Sequence, residues 1–400
     1  MVTAESRATA RSEDMDNRLY LDWNATAPLR PEARSATLAA LAATGNPSSV
    51  HAEGRAARHL VEQAREQVAA LVGAEPRNVV FTSGGTEANV LALAPGIMPL
   101  ASAPEKLLVS AIEHPSVLAG GRFPPAAVER LPVTRAGEVD LGALERRLAD
   151  GGPMLVSVML ANNETGVVQP VSEAARLVHE QGGVLHVDAV QAAGRIPCDI
   201  NVLGADLLTL SGHKIGAPKG VGALIRRDAA LALGDPLIRG GGQERGLRAG
   251  TENVAAVAGF GAAAAAARAG LAAAHVRMGA RRDQLEAALA AASPGIVVFG
   301  AEAERIPNTT LFALAGIKAE TAVIALDLEG AAVSSGAACS SGKVQPSHVL
   351  AAMGVPPGLA RGAIRVSLGA TTTETDIEGF MAAWIKVSGA LLKGSSGIAA

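Results

Sequence analysis

From residue 79 to residue 225 the chain switches repeatedly between short apolar runs and longer helix-like stretches. The runs fall at 79–81, 107–110, 155–160, 184–187, 207–210 and 221–225. They are short and apolar, as strands buried on both faces are. Strands alternating with helices predict a mostly parallel sheet between helical layers. In such sheets chemistry gathers beyond the carboxyl ends of the strands.

Around this unit, residues 31–45 and 50–73 read as helices. Pro31 suits the first turn of one, and Ser49 is a candidate cap for the other. An alanine-rich stretch from Val254 predicts a long buried helix, its apolar part too short for a membrane span. Strand-like runs at 296–299, 309–314 and 363–367, with helices near 320–328 and 375–392, predict a smaller α+β unit. Four hundred residues exceed one typical core. The expected division is a flexible 1–17, a large domain 18–265 and a small domain 266–400.

The net charge of −3, with no dense basic run, argues against nucleic-acid binding. Residues 1–17 are polar and lack the apolar core of a signal peptide, so a cytoplasmic protein with no membrane partner is expected. Two cysteines, Cys198 and Cys339, make no disulfide framework and leave a thiol free for chemistry. No metal-ligating set is expected.

The run Asp206-Leu207-Leu208-Thr209-Leu210-Ser211-Gly212-His213-Lys214 ends a buried strand in one lysine. Desolvation there lowers an amine pKa and frees a nucleophile able to form a Schiff base with a carbonyl cofactor. An ordinary surface lysine is the alternative. Four other strand ends carry polar groups. Thr82-Ser83-Gly84-Gly85-Thr86-Glu87 makes a strand–glycine–helix turn, a cradle for an anion or a plain capped turn. Glu113-His114-Pro115 offers an imidazole that can lie on an aromatic ring. Asn162-Asn163-Glu164 offers amides for a hydroxyl or carboxylate, with Glu164 suited to holding the loop. His186-Val187-Asp188-Ala189-Val190-Gln191 ends in an acid, a partner for a pyridinium N–H or a helix cap. Together these are the parts of a pyridoxal 5′-phosphate (PLP) site.

With these motifs in order, the chain resembles the cysteine desulfurases of the NifS/IscS-like subgroup of the class V (fold type I) PLP enzymes. Further matching stretches are Asn46-Pro47-Ser48-Ser49-Val50-His51, Pro218-Lys219-Gly220, Gly240 to Thr251, Ser334-Ser335-Gly336-Ala337-Ala338-Cys339-Ser340-Ser341 and Arg365-Val366-Ser367-Leu368-Gly369. The resemblance implies the fold type I architecture: a mostly parallel, seven-stranded sheet between helices, plus a smaller α+β C-terminal domain carrying the Cys339 loop. It implies that Lys214 binds PLP as a Schiff base. It gives Gly85, Thr86, Ser211 and His213 to the phosphate, with Thr251 reaching it from the other subunit of a homodimer. Asp188 would pair with the ring nitrogen, Gln191 with the ring hydroxyl, and His114 would stack on the ring and carry protons. Asn163 and Arg365 would bind the carboxylate of L-cysteine. Cys339 would accept the sulfur as a persulfide and pass it to an acceptor protein such as an iron–sulfur scaffold. Gly85, Ala249 and Ala370 depart from residues common in relatives without removing a reacting group. A selenocysteine lyase, a class V aminotransferase and a non-catalytic sulfur relay are the rival readings.

Overall fold

The computed structural model describes residues 18–97, 104–151, 154–233, 235–336 and 347–396. Its centre is a seven-stranded sheet of β1 (Val79–Thr82), β2 (Leu107–Ser110), β3 (Val128–Leu131), β4 (Leu155–Ser157), β5 (Val184–Asp188), β6 (Leu207–Ser211) and β7 (Gly222–Arg226). The spatial order is β1-β7-β6-β5-β4-β2-β3. Only β7 runs against its neighbours β1 and β6; the other pairs are parallel.

The apolar runs are continuous because both faces are covered. Phe81, Leu108, Val156, Leu185, Leu208 and Ile225 enter one core cluster. Their neighbours Val80, Leu107, Leu155, Val184, Leu207 and Leu224 enter another on the opposite face. β3 escaped the sequence reading because Val-Glu-Arg-Leu carries two charges and lies at the sheet edge. The ladder of β4 stops at Ser157, short of the expected 160. Val158 and Leu160 still donate to the His186 and Asp188 carbonyls, but the Met159 N–H turns to the Glu113 carboxyl, 2.6 Å away.

The helix α1 (Pro31–Ala42) starts at its proline as expected. The helix α2 (Ala52–Leu71) is capped by His51, whose Nδ1 accepts from the Gly54 N–H; Ser49 is not the cap, because the chain runs on to His51 before turning helical. The long helix α3 (Val254–Ala292) packs along both. It is long and apolar enough to cross a membrane by length and composition, but half of its most apolar window is buried within the fold. Gly261 permits the approach to α2: a Cβ there would lie 2.5 Å from the Ala64 Cα.

A second core joins Leu21, Leu285, Leu289, Phe312, Ile364, Val366, Phe380 and Trp384. It covers a four-stranded sheet built on Thr309–Ala313 and Ile364–Ser367, flanked by Val297–Val298 and Ser334–Ser335. Trp384 stands edge-on to Phe312 with ring centroids 5.1 Å apart, and its Nε1 donates to Ser293 Oγ. Residue 265 falls inside α3, so we propose that the two bodies divide within this helix, with the strand Leu19–Tyr20 joining the C-terminal one through Ala331–Ala332.

The exposed edge of β1 is closed by an ion pair. Glu244 accepts from both Arg65 Nη atoms at 2.7 and 2.9 Å and from the Phe81 N–H at 2.9 Å. The Arg65 guanidinium lies 4.8 Å over the Phe81 ring centroid. Glu244 and Arg245 both hold left-handed φ values, 47° and 58°, a conformation that costs a non-glycine residue roughly 1–2 kcal/mol. The buried pair holds the turn in place. Removing one partner of a buried ion pair costs about 3–5 kcal/mol. Glu244→Ala is therefore expected to lower stability by that order, read as an earlier urea unfolding midpoint.

Candidate active site

The strand ends open on a cavity of about 720 Å³. Ten residues singled out in the sequence line it: Gly85, Thr86, His114, Asn163, Asp188, Gln191, Ser211, His213, Lys214 and Arg365. Thr251 is exposed and not part of the lining. Cys339 lies outside the described residues. The segment that contains it departs after Gly336 and returns at Ser347, and Ser334, Ser335 and His348 line the cavity on either side of it.

Lys214 ends a single turn after β6. Its Nζ donates to the Asn24 carbonyl at 2.6 Å and the Ala25 carbonyl at 2.8 Å. Burial, then the nearby Arg365 and Arg195, lower its pKa to about 7, against the opposing pull of Asp22 and Asp188. The amine is therefore substantially neutral near neutral pH.

Asp188 closes β5 and is 5% exposed. One oxygen accepts from Asn89 Nδ2 at 2.9 Å and the other from the Val190 N–H at 3.0 Å. Among the described residues it forms no ion pair, so a carboxylate faces the cavity without a cation. Gln191 donates through Nε2 to the Asn24 carbonyl, while its buried Oε1 has no partner among the described residues.

Gly84 precedes the helix Gly85–Ala92, whose start has no side-chain cap. A Cβ on Gly222 of β7 would sit 2.6 Å from the Gly84 carbonyl carbon, so glycine is required for strand and turn to meet. Arg248 Nε binds Glu87 at 3.0 Å, and Glu87 in turn accepts from the Ser83 N–H. His213 contacts Thr26 Oγ1, and burial beside Lys214 lowers its pKa to about 4.

His114 Nδ1 accepts from the Ser116 N–H and lies 2.7 Å from Ser116 Oγ. Its neutral form therefore carries the proton on Nε2. Burial lowers its pKa, against the pull of Asp188. Arg365 spans the cavity wall, donating to the Asn163 carbonyl at 2.9 Å and pairing with Asp22 at 2.8 Å.

Sequence reasoning gave no role to four further lining residues: Asn24, Asn89, Ser116 and His348. Asn89 stood within reach, since it falls one helical turn beyond Gly85 and Thr86. Asn24 had no local signal. It is buried, and it gathers Lys214, Gln191, Asn163, Thr309, Asn308 and the Ser367 hydroxyl around its side chain, its N–H and its carbonyl.

The pattern of the aminotransferase class-V family matches residues 19–380. The Dictyoglomus turgidum cysteine desulfurase IscS is 40% identical over 368 residues, covering 91% of this chain and 92% of its own. The chain belongs to the class-V family, among its cysteine desulfurases. The cysteine desulfurase NifS of Azotobacter vinelandii is 41% identical over 368 residues, 90% of each chain. Among solved structures, the NifS-like protein from Rickettsia africae superposes with a TM-score of 0.84 at 36% identity, over 93% of this chain and 100% of that one. SspA in complex with cysteine gives a TM-score of 0.73 at 28% identity, over 88% and 99%. Enzymes of this class depend on PLP.

Two buried carboxyls back the cavity. Glu113 accepts from the Met159 N–H, and its Oε2 has no partner among the described residues; burial and then Asp188 raise its pKa well above the usual range. Glu164 accepts from Ser347 Oγ at 2.5 Å, and burial raises its pKa to about 7 from 4.5. Between these values the unfolded chain loses this proton while the folded chain keeps it. The group's contribution is therefore full below pH 4.5 and lost as pH rises through about 7. Glu164→Gln keeps an acceptor for Ser347 and removes the titration. Its urea midpoint is expected to fall less between pH 5 and pH 7.5 than that of the wild type.

Proposed function

We propose that this protein is a PLP-dependent cysteine desulfurase that converts L-cysteine to L-alanine and transfers the sulfur to Cys339 as a persulfide. From there the sulfur supplies iron–sulfur cluster assembly or other thio-cofactors. The observation that carries the reading is Lys214, a neutral-leaning amine held at the end of β6 in one cavity with the unpaired carboxylate of Asp188.

The donor set fits the cofactor. An uncapped helix start, the Ser211 hydroxyl and a neutral His213 suit a phosphate. The unpartnered Gln191 Oε1 suits a ring hydroxyl, and Asp188 suits a ring N–H. PLP, when bound, supplies an aldehyde that captures an amine and a protonated ring that accepts electrons from the substrate's α-carbon. Gly85, Thr86, Ser211 and His213 would hold the phosphate, and Thr251 would reach it from a second copy of the chain in a homodimer.

Lys214 takes the α-proton at Nζ, which its depressed pKa allows near neutral pH. Asp188 would keep the ring nitrogen protonated. Arg365 and Asn163 bind and orient the substrate carboxylate; pairing with Asp22 and the Asn163 carbonyl leaves other guanidinium donors for that task. His114 would stack on the ring, with its Nε2–H left to donate. Cys339, as thiolate, attacks the substrate sulfur, and the carbon–sulfur bond breaks as the sulfur–sulfur bond forms.

Anaerobic turnover of L-cysteine by the PLP-loaded protein with a thiol reductant tests this. Equal yields of alanine and sulfide are expected, with both lost in Lys214→Ala and Cys339→Ala. Undiminished products from Cys339→Ala would remove the persulfide step and turn the assignment toward a lyase or an aminotransferase.

A further inference from the structure

Arg195 lies directly behind Lys214 and is 5% exposed. Its guanidinium donates to carbonyl oxygens of three segments that build the cavity. Nη1 bonds the Gln191 carbonyl at 2.7 Å, and Nη2 reaches the Trp23 and Lys214 carbonyls, each at 3.5 Å. The Arg195 carbonyl meets His275 Nδ1 of α3 at 3.1 Å. Among the described residues no carboxylate pairs with it. Arg65, Arg305 and Arg365 each meet an acid, whereas buried Arg226 bonds the Ala229 and Leu231 carbonyls away from the cavity.

A buried cation without a counter-ion is costly to keep. Satisfying three carbonyls explains part of its presence; neutral donors would do the same without the charge. The charge itself acts on Lys214. The charged groups facing that amine are the cations Arg365 and Arg195 and the acids Asp22 and Asp188. His114 and His213 also face it, both held toward their neutral forms. Arg365 is already paired with Asp22. Among the described residues Asp188 has no paired cation and Arg195 no paired acid, while Arg365 acts on the amine as well.

We infer that Arg195 is a positioning residue for Lys214: its guanidinium ties the lysine's turn to the Trp23 and Gln191 segments and sets a charge without a paired acid directly behind the amine. The inference deepens the desulfurase reading and rests on it for its biological meaning. Burial and the neighbouring cations together hold the amine near pKa 7. Removing one nearby like charge raises an amine pKa by about one unit. The neutral fraction at pH 7 then falls from about a half to about a tenth.

The test is a titration of the full-length protein freed of cofactor. Its lysines are dimethylated with ¹³C-formaldehyde and followed by NMR, the Lys214 signal being assigned by its loss in Lys214→Ala. Arg195→Gln keeps donors to the carbonyls and removes the charge; Arg195→Lys keeps the charge. The Lys214 signal is expected to titrate about one unit higher in Arg195→Gln and at the wild-type value in Arg195→Lys. An unchanged titration in a folded Arg195→Gln protein overturns the inference. So does an equal shift in both variants, because the effect would then come from packing. Where Arg195→Gln fails to fold, Arg195→Met takes its place: a rise of about one unit supports the role and an unchanged value overturns it. The signal is read without turnover, so its failure leaves the desulfurase assignment standing, and absent desulfuration would not alter it.

Discussion

In a parallel sheet every strand delivers its last backbone groups to the same edge, and here adjacent β4, β5 and β6 end there in Ser157, Asp188 and Ser211. The rest of the site depends on that shared direction. The loops after these strands have nowhere to go but over one rim, so Asn163, Gln191 and Lys214 converge although 51 residues separate the first from the last. The antiparallel β7 reinforces the effect by beginning at the rim, with Lys219 and Gly220 just before it. The sheet places the chemistry before any side chain has made a specific contact.

Placing charge at such a rim creates an electrostatic problem, and the fold solves it unevenly. Glu113 and Glu164 hold their protons to higher pH, while His114 and His213 give theirs up more readily, because burial penalises each charged form. Arg365 is offset by Asp22. Around Lys214 stand two guanidiniums, Arg365 and Arg195, and two carboxylates, Asp22 and Asp188, of which Arg365 and Asp22 pair with each other. The Asp188 carboxylate suits a ring N–H and the Arg195 guanidinium suits an amine that must be free of its proton. A symmetrical ion pair between the two would have cost both roles.

The sheet was legible in the sequence because its strands are buried on both faces, which leaves unbroken apolar runs. The same rule hid β3, whose charged positions follow from its place at the edge. The candidate site was legible where a cavity-lining residue closes a strand or comes soon after one, as Asp188 and Lys214 do. It was illegible where a residue acts through distance in sequence. Asn24 meets Thr309 and Asn308 across some 285 positions, and Leu21 enters a core otherwise made of residues beyond 284. Arg195 carried no signal either, since a lone basic residue after a turn reads as surface until the structure shows it without an acid.

The cavity is also where the two ends of the Cys339 segment are tied down. On the outgoing side Ser334 and Ser335 pair with the strand carrying Arg365, and the Gly336 N–H bonds the Ala363 carbonyl at 2.8 Å. On the returning side Ser347 donates to Glu164, and His348 Nε2 meets the Glu113 carbonyl at 2.9 Å. Each anchor belongs to a loop that also presents a lining residue: Arg365 on one side, and Asn163 and His114 on the other. The described residues on either side of that segment thus share a framework with the cavity lining. Displacement of the Ser347 anchor would disturb the cavity lining, which ties the Glu164 side chain to the site; the His348 anchor rests on a backbone carbonyl and is independent of the Glu113 side chain.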